Sequence, residues 1–68
     1  MTSVHGKEVF EKMLKLVGKD VEVAASGKDG ILKGTVTNAM FDSFILDEKG
    51  QNNIISYADI VFINEIDA

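Results

Sequence analysis

The chain has 68 residues, no cysteine and no proline, and it sets seven lysines and no arginine against eleven Asp and Glu for a net charge of -4. That length allows one domain, 1–68, which buries only roughly 60% of its extended surface, and the missing cysteine excludes disulfides, thiolate metal sites and cysteine nucleophiles. A hydrophobic content of 46% argues against disorder, the acidic balance has the wrong sign for indiscriminate nucleic-acid binding, and a partner subunit remains as the natural aid to so small a core.

The first periodic signal runs from His5 to Val17. On a helical wheel Val9, Phe10, Met13, Leu14, Leu16 and Val17 occupy one continuous arc, and Lys7, Glu8, Glu11, Lys12, Lys15 and Lys19 occupy the other. This spacing predicts an amphipathic helix over about 5–17. Glu8 with Lys12 and Glu11 with Lys15 are i,i+4 pairs with the acid first, the favourable order. Thr2 or Ser3 can cap its start, and Gly18 can take the left-handed position after its end.

Beyond Gly18 the period falls to two. Val21-Glu22-Val23 alternates, Ser26 to Gly30 is a turn cluster, and Ile31 to Met40 is rich in apolar and β-branched residues. Phe44-Ile45-Leu46, Asn53 to Tyr57 and Ile60 to Ile66 follow, with a turn at Glu48 to Gln51. Five strands over about 21–66 without room for crossover helices predict an antiparallel meander, which must bend into a barrel or leave its edges open. Gly34, inside Leu32-Lys33-Gly34-Thr35-Val36, is the place for a sharp bend. The run Ile60-Val61-Phe62-Ile63 breaks the alternation and puts apolar side chains on both faces of its strand. One face belongs to the core; the other, or the strand edge, is expected to meet another subunit or the N-terminal helix.

The order of helix, Val21-Glu22-Val23, Gly30-Ile31-Leu32-Lys33-Gly34-Thr35-Val36, Phe41-Asp42-Ser43-Phe44-Ile45-Leu46 and Ile55 to Ile63 resembles the Sm-like family, which includes Sm, LSm and the bacterial Hfq proteins. The resemblance covers nearly the whole chain, roughly 9–66. It implies a mainly β fold, an N-terminal helix on a strongly bent five-stranded antiparallel barrel. It further implies pairing of the fourth and fifth strands between copies into a six- or seven-membered ring, with Ile60, Val61, Phe62 and Ile63 at the subunit contact.

Family resemblance also implies single-stranded RNA as ligand, with Phe44 in the position of the base-stacking aromatic and Asp42 and Tyr57 beside it. The cationic part of that pocket is missing. Where Hfq has Lys-His, this chain reads Tyr57-Ala58-Asp59; where Sm and LSm proteins have Arg-Gly, it reads Ser56-Tyr57; and Leu46 replaces a base-reading Asn. The stretch from Gly34 to Asp42 is longer than in the family pattern, so Thr37-Asn38-Ala39-Met40 is expected to hold a bulge or a longer loop. Lys7, Lys12, Lys15 and Lys19 share their arc with glutamates, and Lys33 and Lys28, near the first turn, are the other help the sequence offers to a phosphate. The alternative account of Phe44 and Tyr57 is core and rim packing. The alternative function is an oligomeric scaffold or protein-interaction module on the same fold.

No catalytic constellation is legible. His5 is the sole histidine and has no partner for acid–base work, Asp47 and Glu48 point to opposite sides of a strand end, and Gly27-Lys28-Asp29-Gly30 lacks the P-loop spacing. Asp29, Asp42, Asp47 and Asp59 show no ligand spacing for a metal. The expectation is a protein without catalysis, cofactor or metal. No stretch approaches the ~20 apolar residues of a membrane span, and residues 1–6 lack a basic region before an apolar run, so a cytoplasmic location without membrane contact is expected.

Overall fold

The computed structural model describes residues 5–66, with side chains from residue 8 onward. A helix, α1 (His5–Leu16), precedes five strands: β1 (Asp20–Ala25), β2 (Leu32–Ala39), β3 (Ser43–Glu48), β4 (Gln51–Ser56) and β5 (Ile60–Glu65). A 3-10 turn, Tyr57–Asp59, joins the last two. The anticipated caps Thr2 and Ser3 lie outside the described residues, as do the side chains of His5 and Lys7.

The helix stops where the sequence places its glycine. Gly18 has φ 87°, and the turn it makes lets its N–H donate to the Val36 carbonyl at 2.7 Å, while the Val36 N–H donates to the Lys19 carbonyl at 3.1 Å. These two bonds fasten the end of α1 to β2. Met13 is the helix residue that reaches the core, and Val9 and Leu16 pack beside it.

All five strands are antiparallel in one sheet of order β4-β3-β2-β1-β5. Its inner face holds Val21, Val23, Ala25, Val36, Phe44, Leu46 and Ile55, which with Met13 make the buried core among the described residues. The outer face is mostly polar, as the alternation requires.

The sheet is not closed into a barrel. β4 and β5 are its two edges, and the three-residue 3-10 turn carries the chain from one to the other without pairing them. Closure asks for strand number, tilt and stagger to agree, and here α1 covers the inner face instead.

Two bulges shape the sheet. In β2 the register slips between Val36 and Asn38 against Leu46 and Ile45, so Thr37 is the extra residue. This is the bulge expected between Gly34 and Asp42. In β5 the slip falls between Phe62 and Ile60 against Ala24 and Ala25, so Val61 is extra. The apolar run does put side chains on both faces, and the second bulge decides which: with one residue inserted, Ile60 and Ile63 both turn inward against the core, and Val61 and Phe62 turn outward at 69% and 38% exposure.

Gly34 is required by a close approach. A Cβ built there would collide with the backbone carbonyl of Asp47 on β3 and sit 3.2 Å from the Leu46 side chain. Only a residue without a side chain lets β2 and β3 meet in this way. Gly34→Ala is expected to destabilise the fold by about 1–3 kcal/mol through overpacking, read as a drop in thermal midpoint of several degrees.

Candidate functional site

Of the four residues expected at an RNA pocket, three come together. Phe44 lies on β3, Asp42 in the turn before it and Tyr57 at the head of the 3-10 turn. Backbone bonds hold the group: the Tyr57 N–H donates to the Asp42 carbonyl at 3.0 Å, and the Met40 N–H donates to the Ser43 carbonyl at 2.8 Å. The Tyr57 hydroxyl donates a short bond to the Met40 carbonyl. Thus the β2–β3 turn is tied to the β4–β5 connection through both the backbone and the side chain of Tyr57.

Lys33 stands apart. It faces Glu22 across the β1–β2 ladder and shares a shallow polar cleft with Asp20, Thr35 and Asp47, whereas Phe44 and Tyr57 belong to the inner side of the sheet. A phosphate between Lys33 and the aromatic pair has no common site.

Phe44 corrects the expectation of an accessible stacking ring. It is fully buried, packed in the core and lying almost parallel to the Tyr57 ring at 6.1 Å, so neither face is open to a base within one chain. The cause is the pleat: Phe44 and Leu46 alternate inward from β3, and the core has no larger side chain to fill that place.

The more exposed aromatic near this group is Phe41. It lies in the turn before β3, is 62% exposed and touches Phe10 of α1 at 5.8 Å with the rings tilted. Sequence reasoning passed over it because Phe41 and Phe44 are equally apolar, and Phe41 lies outside β3, the strand whose alternation buries Phe44. Phe41 is one wall of a cleft of about 590 Å³ whose floor is Val9, Met13, Tyr57, Ile60 and Ile63 and whose rim carries Lys12, Asp42 and Ser56. Its size suits a small ligand or a short apolar segment.

The electrostatics of this cleft are mild. Loss of water around Tyr57 raises its phenol above the usual value of 10, and the Asp42 carboxylate adds to the rise. Lys12 and Lys15 share the outer helix face with Glu8 and Glu11, and Lys19 pairs with Glu65 at 3.8 Å on the surface, where such pairs contribute about 0–1 kcal/mol. Among the described residues no three His, Cys, Asp or Glu side chains converge as a metal site would need, and no helix is long and apolar enough to cross a membrane.

Both sheet edges carry apolar side chains on the same, outer face. On β4, Ile54 is 66% exposed and stands opposite half-buried Ile45. On β5, Phe62 stands opposite Ala24 with Val61 beside it. Thus two of the four residues expected at a subunit contact, Val61 and Phe62, face out, and the other two, Ile60 and Ile63, pack against the core. Compared with known proteins, the chain matches no family model, no curated protein and no solved structure.

Two substitutions test the assignments made at this site. Phe44→Ala is expected to cost about 3–5 kcal/mol in urea unfolding, as for a core aromatic; a ring that only awaited a ligand would cost little. Because folding raises the Tyr57 phenol pKa, the folded state favours the neutral hydroxyl, so its contribution is complete below about pH 10 and falls as pH rises through the raised value. Wild type should therefore lose more stability than Tyr57→Phe as pH is raised above about 10, as followed by thermal melts, and Tyr57→Phe should be weaker at neutral pH by about 1 kcal/mol for the lost bond.

Proposed function

We propose that this chain is a non-enzymatic, Sm-like, self-assembling module of the cytoplasm, whose copies join head to tail, β4 of one to β5 of the next, into a homo-oligomeric ring of six or seven. The observation that carries the reading is the pair of sheet edges, unpaired among the described residues, each flanked by exposed apolar residues on the same face. An edge strand is a row of free N–H and C=O groups that proteins normally cover or guard. Joining β4 to β5 would continue the sheet and run the Ile45–Ile54 pair on into Phe62 and Ala24.

The contact would be heterologous, using two different surfaces of one chain, and such contacts make rings when the rotation closes. It would also answer the small core, since eight buried residues among those described are few for a domain that must stand alone.

The ring's task is best read as scaffolding or protein interaction. Phe44 is enclosed, the lysines of α1 are interleaved with glutamates, and the charge of -4 accumulates with every copy. The second reading, single-stranded RNA, draws support from the cleft: Phe41 offers an open ring beside Lys12 and Tyr57, and bases bind protein largely by stacking on aromatic faces.

Titration of labelled oligo-U and oligo-A at low salt separates the two. Scaffolding predicts no binding at tens of micromolar. Saturable binding that Phe41→Ala weakens, with stacking worth about 1–3 kcal/mol, would move the reading to RNA. For assembly itself, Ile54→Lys and Phe62→Lys are each expected to weaken ring formation by about tenfold or more in analytical ultracentrifugation, since a charge on an edge strand opposes pairing. Unchanged assembly in both variants would overturn the edge-to-edge contact.

A further inference from the structure

We propose that β4 is also a self-complementary surface, which pairs with β4 of a second copy in a two-fold dimer when β5 of a neighbour is withheld. The proposal rests on the edge-pairing reading above and concerns the alternative occupant of one of its two edges.

The edges differ in how they are guarded. β5 has the bulge at Val61, which interrupts and twists an edge, and it is bracketed by Asp59 and Glu65. Bulges and charges are the usual means of keeping an edge from indiscriminate pairing. β4 has neither. From Gln51 to Tyr57 the chain reads Gln-Asn-Asn-Ile-Ile-Ser-Tyr, with no charged residue, proline or glycine. Its register against β3 is unbroken from Gln51 to Ser56, and no strand lies on its other side among the described residues.

Register favours the pairing. An antiparallel β4–β4 seam centred on Ile54 sets Ile54 opposite its own copy, Asn53 opposite Ile55 and Asn52 opposite Ser56. The pleat is preserved across the seam, so outer-face residues meet outer-face residues and core-face residues meet core-face residues. Each Ile54, otherwise 66% exposed, covers the other. No charge faces a like charge there, despite the net charge of each chain. The equivalent β5–β5 seam centred on Phe62 would oppose Asp59 to Glu65, acid against acid, and like charges directly opposite are destabilising. Self-pairing therefore belongs to β4, and the isologous contact ends at two copies.

The β4–β4 dimer and the ring compete for one edge. Because the dimer consumes fewer copies, dilution favours it by mass action. This gives the assembly a reserve state in which its most adhesive strand is covered.

The absence of cysteine makes the contact easy to read. Ile54→Cys places a single thiol at the centre of the seam, where opposite Cα atoms about 4.5–5.5 Å apart fall within disulfide reach. It is combined with Phe62→Lys, which disfavours β5 as partner, and the folded state of each variant is verified by circular dichroism. Expected is a covalent dimer on mild oxidation, at least about tenfold more abundant than for Ile54→Cys alone at ring-forming concentration, where the introduced thiol faces β5 of a neighbour. Phe62→Lys without the thiol should sediment as a dimer, and Phe62→Lys with Ile54→Lys as a monomer. A monomeric Phe62→Lys, or a thiol that stays reduced in the Ile54→Cys, Phe62→Lys double variant, would overturn the β4–β4 contact. A wild type that is itself a dimer, together with an Ile54→Cys single variant that cross-links fully, would overturn the ring and leave the β4–β4 contact standing.

Discussion

The approach of β2 to β3 at Gly34 sets the geometry on which the other elements depend. With no Cβ in the way, the backbone of β2 lies against the Asp47 carbonyl, and three residues later Thr37 is expelled from the ladder as a bulge. A glycine and a bulge so close together bend the central strand. Curvature decides how much of a five-stranded sheet one twelve-residue helix can cover. Here it is enough to enclose Phe44, Leu46 and Val36 under Met13, and not enough to bring β4 to β5.

Open edges are the consequence, and they connect the fold to the proposed assembly. The chain spends its apolar residues unevenly: a small set fills the inner face, while Ile54, Val61 and Phe62 stay at the edges in contact with water. In a larger domain three such residues would be ordinary surface. On this chain they sit on both edges and on the same face, which is where a neighbouring copy would complete the sheet.

Much of this was legible in the sequence, for reasons that can be located. The helix showed because its two arcs do not mix, and Gly18 ended it because a left-handed residue is needed there. The strands showed through alternation, and their ends moved by one or two residues where no side chain marks them; Tyr57, for example, leaves β4 for the 3-10 turn that Ser56 caps. Two features did not show. The run Ile60 to Ile63 is two-faced, as its broken alternation indicates, but which residue takes which face did not show, because alternation presumes an unbroken pleat and the bulge at Val61 turns both isoleucines inward. Phe44 and Phe41 could not be told apart by type, since which ring is enclosed depends on the register of β3 against β2 and β4. The candidate site changed accordingly, from a stacking ring at Phe44 to a cleft walled by Phe41 beneath α1.

Assembly is the claim on which the functional account stands, and the mass of the native particle tests it most directly. Native mass spectrometry of the wild-type chain at micromolar concentration is predicted to give a closed species of six or seven copies. A persistent monomer of 7.4 kDa would contradict the account, because the unpaired edges would then be tolerated without a partner.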